Sequence, residues 1–296
     1  DAFMHDIEEF VREVVGVVKD SGPAPARRGA PSSSPPAAER APAKAARASR
    51  GAASQARDAS ALSVLAPSGQ PGVARGVTPV RDLPKLLQQH FGFPAFRPHQ
   101  EQICAAVAGG SDALVVMPTG AGKSLCYQLP GLARGGTTLV ISPLVALIED
   151  QTQKLLESGL RAERIHAGRS REQSRATCRA YVEGELDFLF VAPERLGVRG
   201  FPELLAKRPP TLIAIDEAHC ISDWGHDFRP DYRMLSGRLA GLPGVPIVAL
   251  TATATPRVQA DITQQLGLHD RGRTPETFIF GFRRTNIAVE VVEVPV

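Results

Sequence analysis

The feature that most constrains the fold is an apolar run that leads directly into a glycine-rich loop and then a helical stretch. The run is Ala113–Met117, and the loop reads Pro118-Thr-Gly-Ala-Gly-Lys-Ser124. Gly120 and Gly122 allow the positive φ angles with which successive backbone N–H groups can surround phosphate oxygens. The N-terminus of the following helix adds a favourable dipole. The pattern therefore predicts a site for the phosphates of a nucleotide.

Six consecutive residues are expected to line this site, namely Thr119, Gly120, Ala121, Gly122, Lys123 and Ser124. Lys123 can reach the β and γ phosphates of ATP, and the Ser124 hydroxyl can bind Mg²⁺. The strict pattern G-x-x-x-x-G-K-[ST] requires glycine at position 117, where this chain has Met117. A chance glycine turn would not require Lys followed by Ser at the start of a helix. We therefore retain the phosphate-binding interpretation.

A second apolar run ends in adjacent carboxylates. It reads Leu212-Ile-Ala-Ile-Asp216-Glu217-Ala-His219. A phosphate-loop ATPase needs one acid for Mg²⁺ and another that positions the attacking water, so Asp216 and Glu217 fit these two roles. A lone Asp-Glu pair is more often a solvated strand end. Its place roughly ninety residues after the glycine loop favours the catalytic interpretation.

Short apolar runs alternate with helical stretches from about residue 81 onward. Their continuous apolar character is typical of parallel strands that helices cover on both faces, so an α/β fold is predicted. In such sheets ligands bind at the carboxyl ends of the strands. The predicted strands are Ala113–Met117, Thr138–Ser142, Phe188–Ala192, Leu212–Asp216, Ile247–Thr251 and Phe278–Phe280.

Composition divides the chain into four segments. Residues 1–20 place apolar side chains on one face at helical spacing, which predicts a short amphipathic helix with an unidentified protein partner. Residues 21–80 are rich in Ala, Pro, Ser and Arg and predict a disordered linker, which carries a net charge of +6. Residues 81–281 form the predicted globular domain. Residues 282–296 follow this domain, and their expected role as the start of a connection depends on a family resemblance given below.

Charge, cysteines and hydropathy exclude several classes of protein. The net charge is +3, and the predicted domain is nearly neutral, so nucleic-acid binding must be argued from local motifs. The cysteines lack C-x-x-C spacing, which predicts reduced thiols and no zinc site; they are Cys104, Cys126, Cys178 and Cys220. No secretory signal or membrane span is recognisable, so we expect a cytosolic protein.

Five segments resemble one helicase family in their order and spacing. The most specific is Cys220-Ile-Ser-Asp-Trp-Gly-His-Asp-Phe-Arg-Pro-Asp-Tyr232, an aromatic-rich loop. The others are Phe93-Pro-Ala-Phe-Arg-Pro-His-Gln100, Ser142-Pro-Leu-Val-Ala-Leu, Ala192-Pro-Glu-Arg-Leu196 and Leu250-Thr-Ala-Thr-Ala254. Over residues 81–290 the chain resembles the RecQ family of DEAH-type, superfamily-2 DNA helicases. In that family the first loop position is commonly not glycine, which accounts for Met117.

The resemblance implies a RecA-like phosphate-loop NTPase lobe with a mostly parallel sheet sandwiched by helices. It implies that Phe93 stacks on adenine while Arg97 and Gln100 hydrogen-bond to its edge. Without the downstream loop, Arg97 and Gln100 would be read as an ordinary helix start after Pro98. Adenine recognition is therefore an expectation that depends on the family.

The resemblance also implies residues that couple ATP hydrolysis to DNA. The expected set is Ser142, Pro143, His219, Trp224, Phe228, Arg229, Thr251 and Thr253. For His219, Thr251 and Thr253 plain capping of helix and strand ends fits equally well. Trp224 and Phe228 could instead fill a core, but the glycine, proline and polar residues around them favour a loop.

The resemblance implies ATP-dependent unwinding of DNA with 3′ to 5′ movement, in repair and recombination. The expected partner is single-stranded or forked DNA, and the expected cofactor is Mg²⁺. Polarity is implied by the resemblance alone. After Phe282-Arg-Arg-Thr-Asn-Ile287, which resembles the link to a second lobe, the 296 residues end. We therefore expect these residues alone not to unwind DNA. Two alternatives remain open, a DNA-stimulated translocase without strand separation and a nucleotide-dependent binding module.

Overall fold

The computed structural model describes residues 76–272 and 274–281. The predicted helix of residues 1–20, residues 21–75 of the predicted linker and the connection at 282–296 lie outside this range. The last residues of the predicted linker already contact the domain, since the Thr78 N–H donates to the carbonyl of Ala133 at 2.6 Å. In the described part of the chain, no helix has the length and apolar character that crossing a membrane requires.

Seven parallel strands form a single sheet in the described residues. Their order across the sheet is β3-β4-β2-β5-β6-β1-β7. The strands are β1 Ala113–Val116, β2 Thr138–Ile141, β3 Ala162–Ile165, β4 Phe188–Val191, β5 Leu212–Ile215, β6 Ile247–Thr251 and β7 Glu276–Ile279. The predicted α/β class with a parallel sheet is confirmed.

Nine α-helices accompany these strands within the described residues. They are α1 Leu83–Phe91, α2 Gln100–Gly109, α3 Leu125–Arg134, α4 Val145–Glu157, α5 Arg171–Glu183, α6 Phe201–Lys207, α7 Pro230–Arg233, α8 Leu235–Leu239 and α9 Pro256–Gln265. Four short 3₁₀ helices lie between them, at Val80–Asp82, Pro193–Gly197, Ala218–Ile221 and Leu268–Asp270.

Alternating side chains of the central strands enter two apolar layers. In β1, Leu114 and Val116 pack into one layer, while Ala113 and Val115 pack into the other. Every residue of β1, β2, β4, β5 and β6 is buried, because helices cover both faces. Continuous apolar runs were therefore a reliable signal for these five strands.

The edge strands depart from the prediction. β3 was not predicted, because Glu163 and Arg164 interrupt its apolar character and only Ala162 and Ile165 are buried. β7 begins at Glu276, two residues before the predicted start, and its polar residues are exposed. Edge strands contact fewer neighbours, so their sequences tolerate charge and lose the continuous apolar pattern.

The sheet order determines which loops meet. β2, β5, β6 and β1 are consecutive neighbours, and all of them are parallel. Their carboxyl ends therefore place Ser142, Asp216, Thr251 and the loop after Met117 along one edge of the sheet. A hydrogen bond from the Met117 N–H to the Thr251 carbonyl, 3.1 Å long, joins two of these ends directly.

Candidate nucleotide-binding site

The glycine loop has the backbone conformation that phosphate binding requires. Gly120 and Gly122 both have a φ of 84°, which side-chain-bearing residues rarely adopt. The loop leads into α3, so its N–H groups and the helix N-terminus face the same region. The Lys123 ammonium donates to the Met117 carbonyl at 3.2 Å, which holds it folded back over the loop. A phosphate group could replace that carbonyl as the acceptor.

Asp216 and Glu217 lie beside the loop in different electrostatic environments. Burial, the largest cause, and the adjacent Glu217 carboxylate together raise the pKa of Asp216 to about 6, against the opposing charge of Lys123. The hydrogen bond with His219 lowers the pKa of Glu217 below its ordinary value, and the charge of Lys123 acts in the same direction. Glu217 is thus held as a carboxylate, while a nearby cation would stabilise the ionised form of Asp216.

Glu217 also has an unusual backbone. Its φ is 49°, in the left-handed region that costs a residue with a side chain about 1 kcal/mol or more. This conformation ends β5 abruptly and begins the 3₁₀ helix Ala218–Ile221. The Tyr232 hydroxyl donates to the Asp216 carbonyl at 2.9 Å and fixes the turn from the aromatic-rich loop. The strain therefore falls at the predicted catalytic residue.

His219 connects the acidic pair to β6. Its Nδ1 lies 3.2 Å from Oε2 of Glu217 and 2.9 Å from Oγ1 of Thr251. The Thr251 hydroxyl in turn donates to the Thr253 carbonyl at 3.1 Å. His219 is buried, and its ring stacks on His226 with centroids 4.2 Å apart. The structure thus brings together the predicted coupling residues and adds His226, which sequence reasoning missed.

A cavity of about 360 Å³ opens beside the phosphate loop. Its apolar lining residues include Phe91, Leu125, Leu155 and Phe93, which is 47% exposed. A cavity lined by apolar side chains and a few polar groups suits a purine ring. Phe93 lies where the sequence predicted an adenine-stacking residue.

Arg97 and Gln100 contact the phosphate loop itself. The Arg97 guanidinium donates to the Gly120 carbonyl at 2.9 Å. The Gln100 amide donates to the carbonyls of Ala121 and Gly122, at 3.3 and 3.1 Å, and its oxygen accepts from the Arg97 N–H at 2.9 Å. These two residues therefore support the loop as well as lining the cavity, a role the sequence did not indicate.

The aromatic-rich loop exposes its large side chains. Trp224 is 60% exposed and Phe228 is 39% exposed, so neither fills a core. The guanidinium of Arg257, near the start of α9, lies 3.2 Å above the centre of the Trp224 ring. Nothing in the sequence pattern had indicated Arg257, because it comes from an element that is separate from the loop. The loop interpretation of this segment agrees with the structure.

Arg229 joins the aromatic-rich loop to the end of β2. Its guanidinium donates to the Pro143 carbonyl at 3.0 Å and pairs with Asp227 at 3.0 Å. A second cavity, of about 380 Å³, lies between this loop and the phosphate loop, with Thr119, Glu217 and Thr253 among its lining residues. The phosphate loop, through Thr119, and the aromatic-rich loop, through His226 and Asp227, therefore line the same cavity.

The oxygen donors at the phosphate loop fit a hard divalent cation. Mg²⁺ prefers carboxylate, hydroxyl and phosphate oxygens, and Asp216 and Ser124 provide the first two of these. Burial destabilises the ionised form of Asp216. A bound cation would stabilise that form, so the environment of Asp216 suits a metal ligand. The residues present therefore fit Mg²⁺ bound together with nucleotide phosphates.

Comparisons with known proteins agree with this geometry. The DEAD/DEAH box helicase model matches residues 97–262. The chain is 44% identical over 208 residues to the ATP-dependent DNA helicase RecQ of Haemophilus influenzae, a match covering 70% of this chain and 33% of that protein. It is 46% identical over 183 residues to ATP-dependent DNA helicase Q-like 2 of Arabidopsis thaliana, covering 60% of this chain and 26% of the relative.

Among solved structures, the helicase Lhr of Mycobacterium smegmatis, bound to single-stranded DNA and AMP-PNP, resembles the chain in fold. The TM-score is 0.50 with 22% identity, over 69% of this chain and 28% of Lhr. The chain spans about a third of the length of the RecQ relatives that it matches. The phosphate loop, the Asp216-Glu217 pair and the family model together establish that the chain belongs to the DEAD/DEAH box helicase family, and its relatives there are helicases of the RecQ type.

Proposed function

We propose that the chain is the ATP-binding motor lobe of a RecQ-type DNA helicase, which moves 3′ to 5′ on single-stranded or forked DNA in repair and recombination. The observation that carries the proposal is the position of His219. Its ring contacts the Glu217 carboxylate, the Thr251 hydroxyl and the His226 ring of the aromatic-rich loop. One buried side chain thus touches the proposed catalytic acid and both segments that would respond to DNA.

The phosphate side of the reaction follows from the charges around the loop. Lys123 would leave the Met117 carbonyl and bind the β and γ phosphates. Mg²⁺, held by Ser124 and Asp216, would neutralise charge that develops on the phosphate oxygens. Glu217, kept ionised by its hydrogen bond with His219, would orient the attacking water and accept its proton.

Adenine selection would rest on Phe93, Arg97 and Gln100 at the first cavity. Stacking on Phe93 accepts any base, so discrimination needs polar groups at the base edge. The Gln100 amide is 3% exposed, and its hydrogen bonds with the loop fix its orientation. A guanine edge would present donors and acceptors in the inverse order and leave buried polar groups unpaired. ATP should therefore compete more strongly than GTP.

Coupling to DNA would pass through the aromatic-rich loop. Trp224 and Phe228 offer exposed rings for stacking on bases of any sequence, and Arg229 offers a cation for phosphate. Arg229 also contacts the Pro143 carbonyl beside Ser142, so a shift of Arg229 would reach the end of β2. The loop would thus report bound DNA to the cleft that holds Glu217 and His219.

The 296 residues tested by themselves should hydrolyse ATP slowly and should not separate strands. The described residues hold one RecA-like sheet, and translocation by two lobes requires a second one to close against. An arginine finger from such a lobe is worth about 10³–10⁵ in rate in related NTPases. Robust unwinding by these 296 residues would contradict the proposal.

A fluorescence titration provides a direct test, because Trp224 is the single tryptophan of the chain. Single-stranded oligonucleotide should change Trp224 emission in a saturable way, and added salt should weaken the binding. Phe228→Ala should weaken that binding, while Met234→Ala, which alters an exposed apolar residue outside the loop, is the matched control. An emission spectrum that oligonucleotide leaves unchanged would refute the assignment of the loop to DNA.

A further inference from the structure

Three side chains of metal-binding type converge beside the second cavity. The imidazole of His219, the thiol of Cys220 and the carboxylate of Asp227 have donor atoms that all lie within 4.8 Å of one another. Cys220 Sγ is 3.8 Å from His219 Nε2 and 3.8 Å from Asp227 Oδ2. Zinc ligands lie roughly 3.3–3.8 Å apart, because bonds of about 2.0–2.3 Å meet at tetrahedral angles. Two of the three separations match that geometry without rearrangement.

The surroundings of His219 prepare its second nitrogen for a cation. Nδ1 faces the Glu217 carboxylate at 3.2 Å, and a carboxylate can only accept, so Nδ1 carries the hydrogen. The lone pair of the neutral ring is then on Nε2, which points toward the Cys220 sulfur. Metal-binding histidines commonly have this arrangement, in which a carboxylate orients the ring from behind.

We infer that His219, Cys220 and Asp227 form a binding site for a thiophilic divalent cation such as Zn²⁺, separate from the Mg²⁺ position at Ser124 and Asp216. A thiolate and an imidazole favour Zn²⁺ over the hard Mg²⁺ ion, which prefers oxygen ligands. The fourth position would open to the cavity of about 380 Å³, which His219 and Asp227 also line. Binding replaces the Cys220 S–H bond with a sulfur–metal bond, and the proton leaves to solvent.

This inference departs from the sequence-based expectation of no zinc. That expectation considered the spacing of cysteines, and all four are indeed free thiols. His219 and Cys220 are adjacent in sequence, but Asp227 reaches them only because the loop turns back after Trp224. The third ligand was therefore not recognisable from spacing.

Occupation of this site should restrain the aromatic-rich loop, a consequence that rests on the proposed function. Asp227 Oδ2 is the atom that also accepts from the Arg229 guanidinium, at 3.2 and 3.0 Å. A cation on Asp227 would compete with Arg229 for that oxygen and would tie the loop to His219. The loop would then respond less to DNA, so the cation would act as an inhibitor.

Titration of the 296-residue chain with Co²⁺ alone, without nucleotide, tests the site. Cobalt bound by a thiolate gives a sulfur-to-metal absorption band, which we expect for the unmodified chain and for Cys178→Ser, which replaces another buried thiol. Cys220→Ser should abolish the band. Asp227→Asn, at an exposed position that leaves the core intact, should weaken cobalt binding about tenfold or more. Zn²⁺ should displace the cobalt.

Two results would overturn the inference. One is the absence of a thiolate band in the unmodified chain, and the other is a band that survives Cys220→Ser. The inhibitory consequence is measured separately, as the loss of the DNA-induced change in Trp224 emission when Zn²⁺ is present. If DNA causes no change even without Zn²⁺, the proposed function fails while the cobalt result still decides the site. If Zn²⁺ binds and the DNA response is unaffected, inhibition is refuted.

Discussion

Alanine substitutions at the two glycines of the phosphate loop separate backbone strain from a steric effect. Gly120 and Gly122 share a φ of 84°, so either Gly→Ala change forces a side chain into the left-handed region at a cost of about 1–2 kcal/mol. A Cβ at Gly120 meets nothing within contact distance. A Cβ at Gly122 overlaps the amide nitrogen of Gln100.

Gln100 cannot move away from that Cβ without losing hydrogen bonds. Its amide makes three of them, with the carbonyls of Ala121 and Gly122 and with the Arg97 N–H. At about 0.5–1.5 kcal/mol each, loss of two or three adds roughly 1–4 kcal/mol. Gly122→Ala should therefore destabilise the chain by that much more than Gly120→Ala, as measured by urea unfolding followed by circular dichroism.

The double variant Gly122→Ala with Gln100→Ala provides the decisive comparison. Removing the Gln100 amide removes the overlap, so the second substitution should cost less in the Gly122→Ala background than in the unmodified chain. A double-mutant cycle measures this coupling directly. Equal losses for the two glycine variants, or additivity in the cycle, would show that Gln100 does not support the loop as described.

Further predictions concern the charges and the exposed tryptophan. Lys123→Ala should abolish ATP binding measured by titration calorimetry, because it removes the cation that faces the phosphates; unchanged affinity would refute the site. With EDTA present, Asp216→Asn should raise the unfolding free energy at pH 8 by up to about 3 kcal/mol, because folding raises the Asp216 pKa from 3.8 to about 6. Because the pKa of Asp216 is higher in the folded state, the ionised carboxylate destabilises the fold fully above about pH 6 and not at all below about pH 4. Below about pH 4, urea unfolding should therefore give equal stabilities for Asp216→Asn and the unmodified chain. Arg257→Ala should shift Trp224 emission to longer wavelength, since the guanidinium covers the ring, and Arg257→Lys should reverse part of the shift; an unchanged spectrum would show that the stack is not populated.

The phosphate loop and the acidic pair could be predicted because the residues that define each of them are contiguous in the sequence. A strand, two glycines, Lys123 and a helix start specify one conformation wherever they occur together. The meeting of the two segments was also predictable, because buried parallel strands bring their carboxyl ends to one edge. The sequence therefore sufficed to predict segments whose functional side chains and backbone conformation are determined by adjacent residues.

Contacts between distant segments could not be predicted in the same way. Gln100 supports the loop across 22 residues of sequence, and Arg257 covers Trp224 although nothing in its own segment distinguishes it. His99, immediately before α2, has a φ of 72°, a conformation that the sequence pattern did not indicate. Such contacts between distant segments depend on how the helices pack against the sheet. The hydrophobic periodicity of a sequence does not specify that packing.

Within the described residues, a left-handed backbone and a desolvated carboxylate occur side by side at the turn after β5. Glu217 has a left-handed backbone and Asp216 carries a carboxylate whose charge burial disfavours. A fold that was optimised for stability alone would place glycine and a neutral side chain at these positions. The cost is explained if the turn must hold one carboxylate against a cation and aim the next at a reacting water. The left-handed turn also brings His219 within reach of both Glu217 and Thr251. The same strained residue would therefore account for the proposed catalytic geometry and for the contacts that lead from Glu217 through His219 to His226 of the aromatic-rich loop.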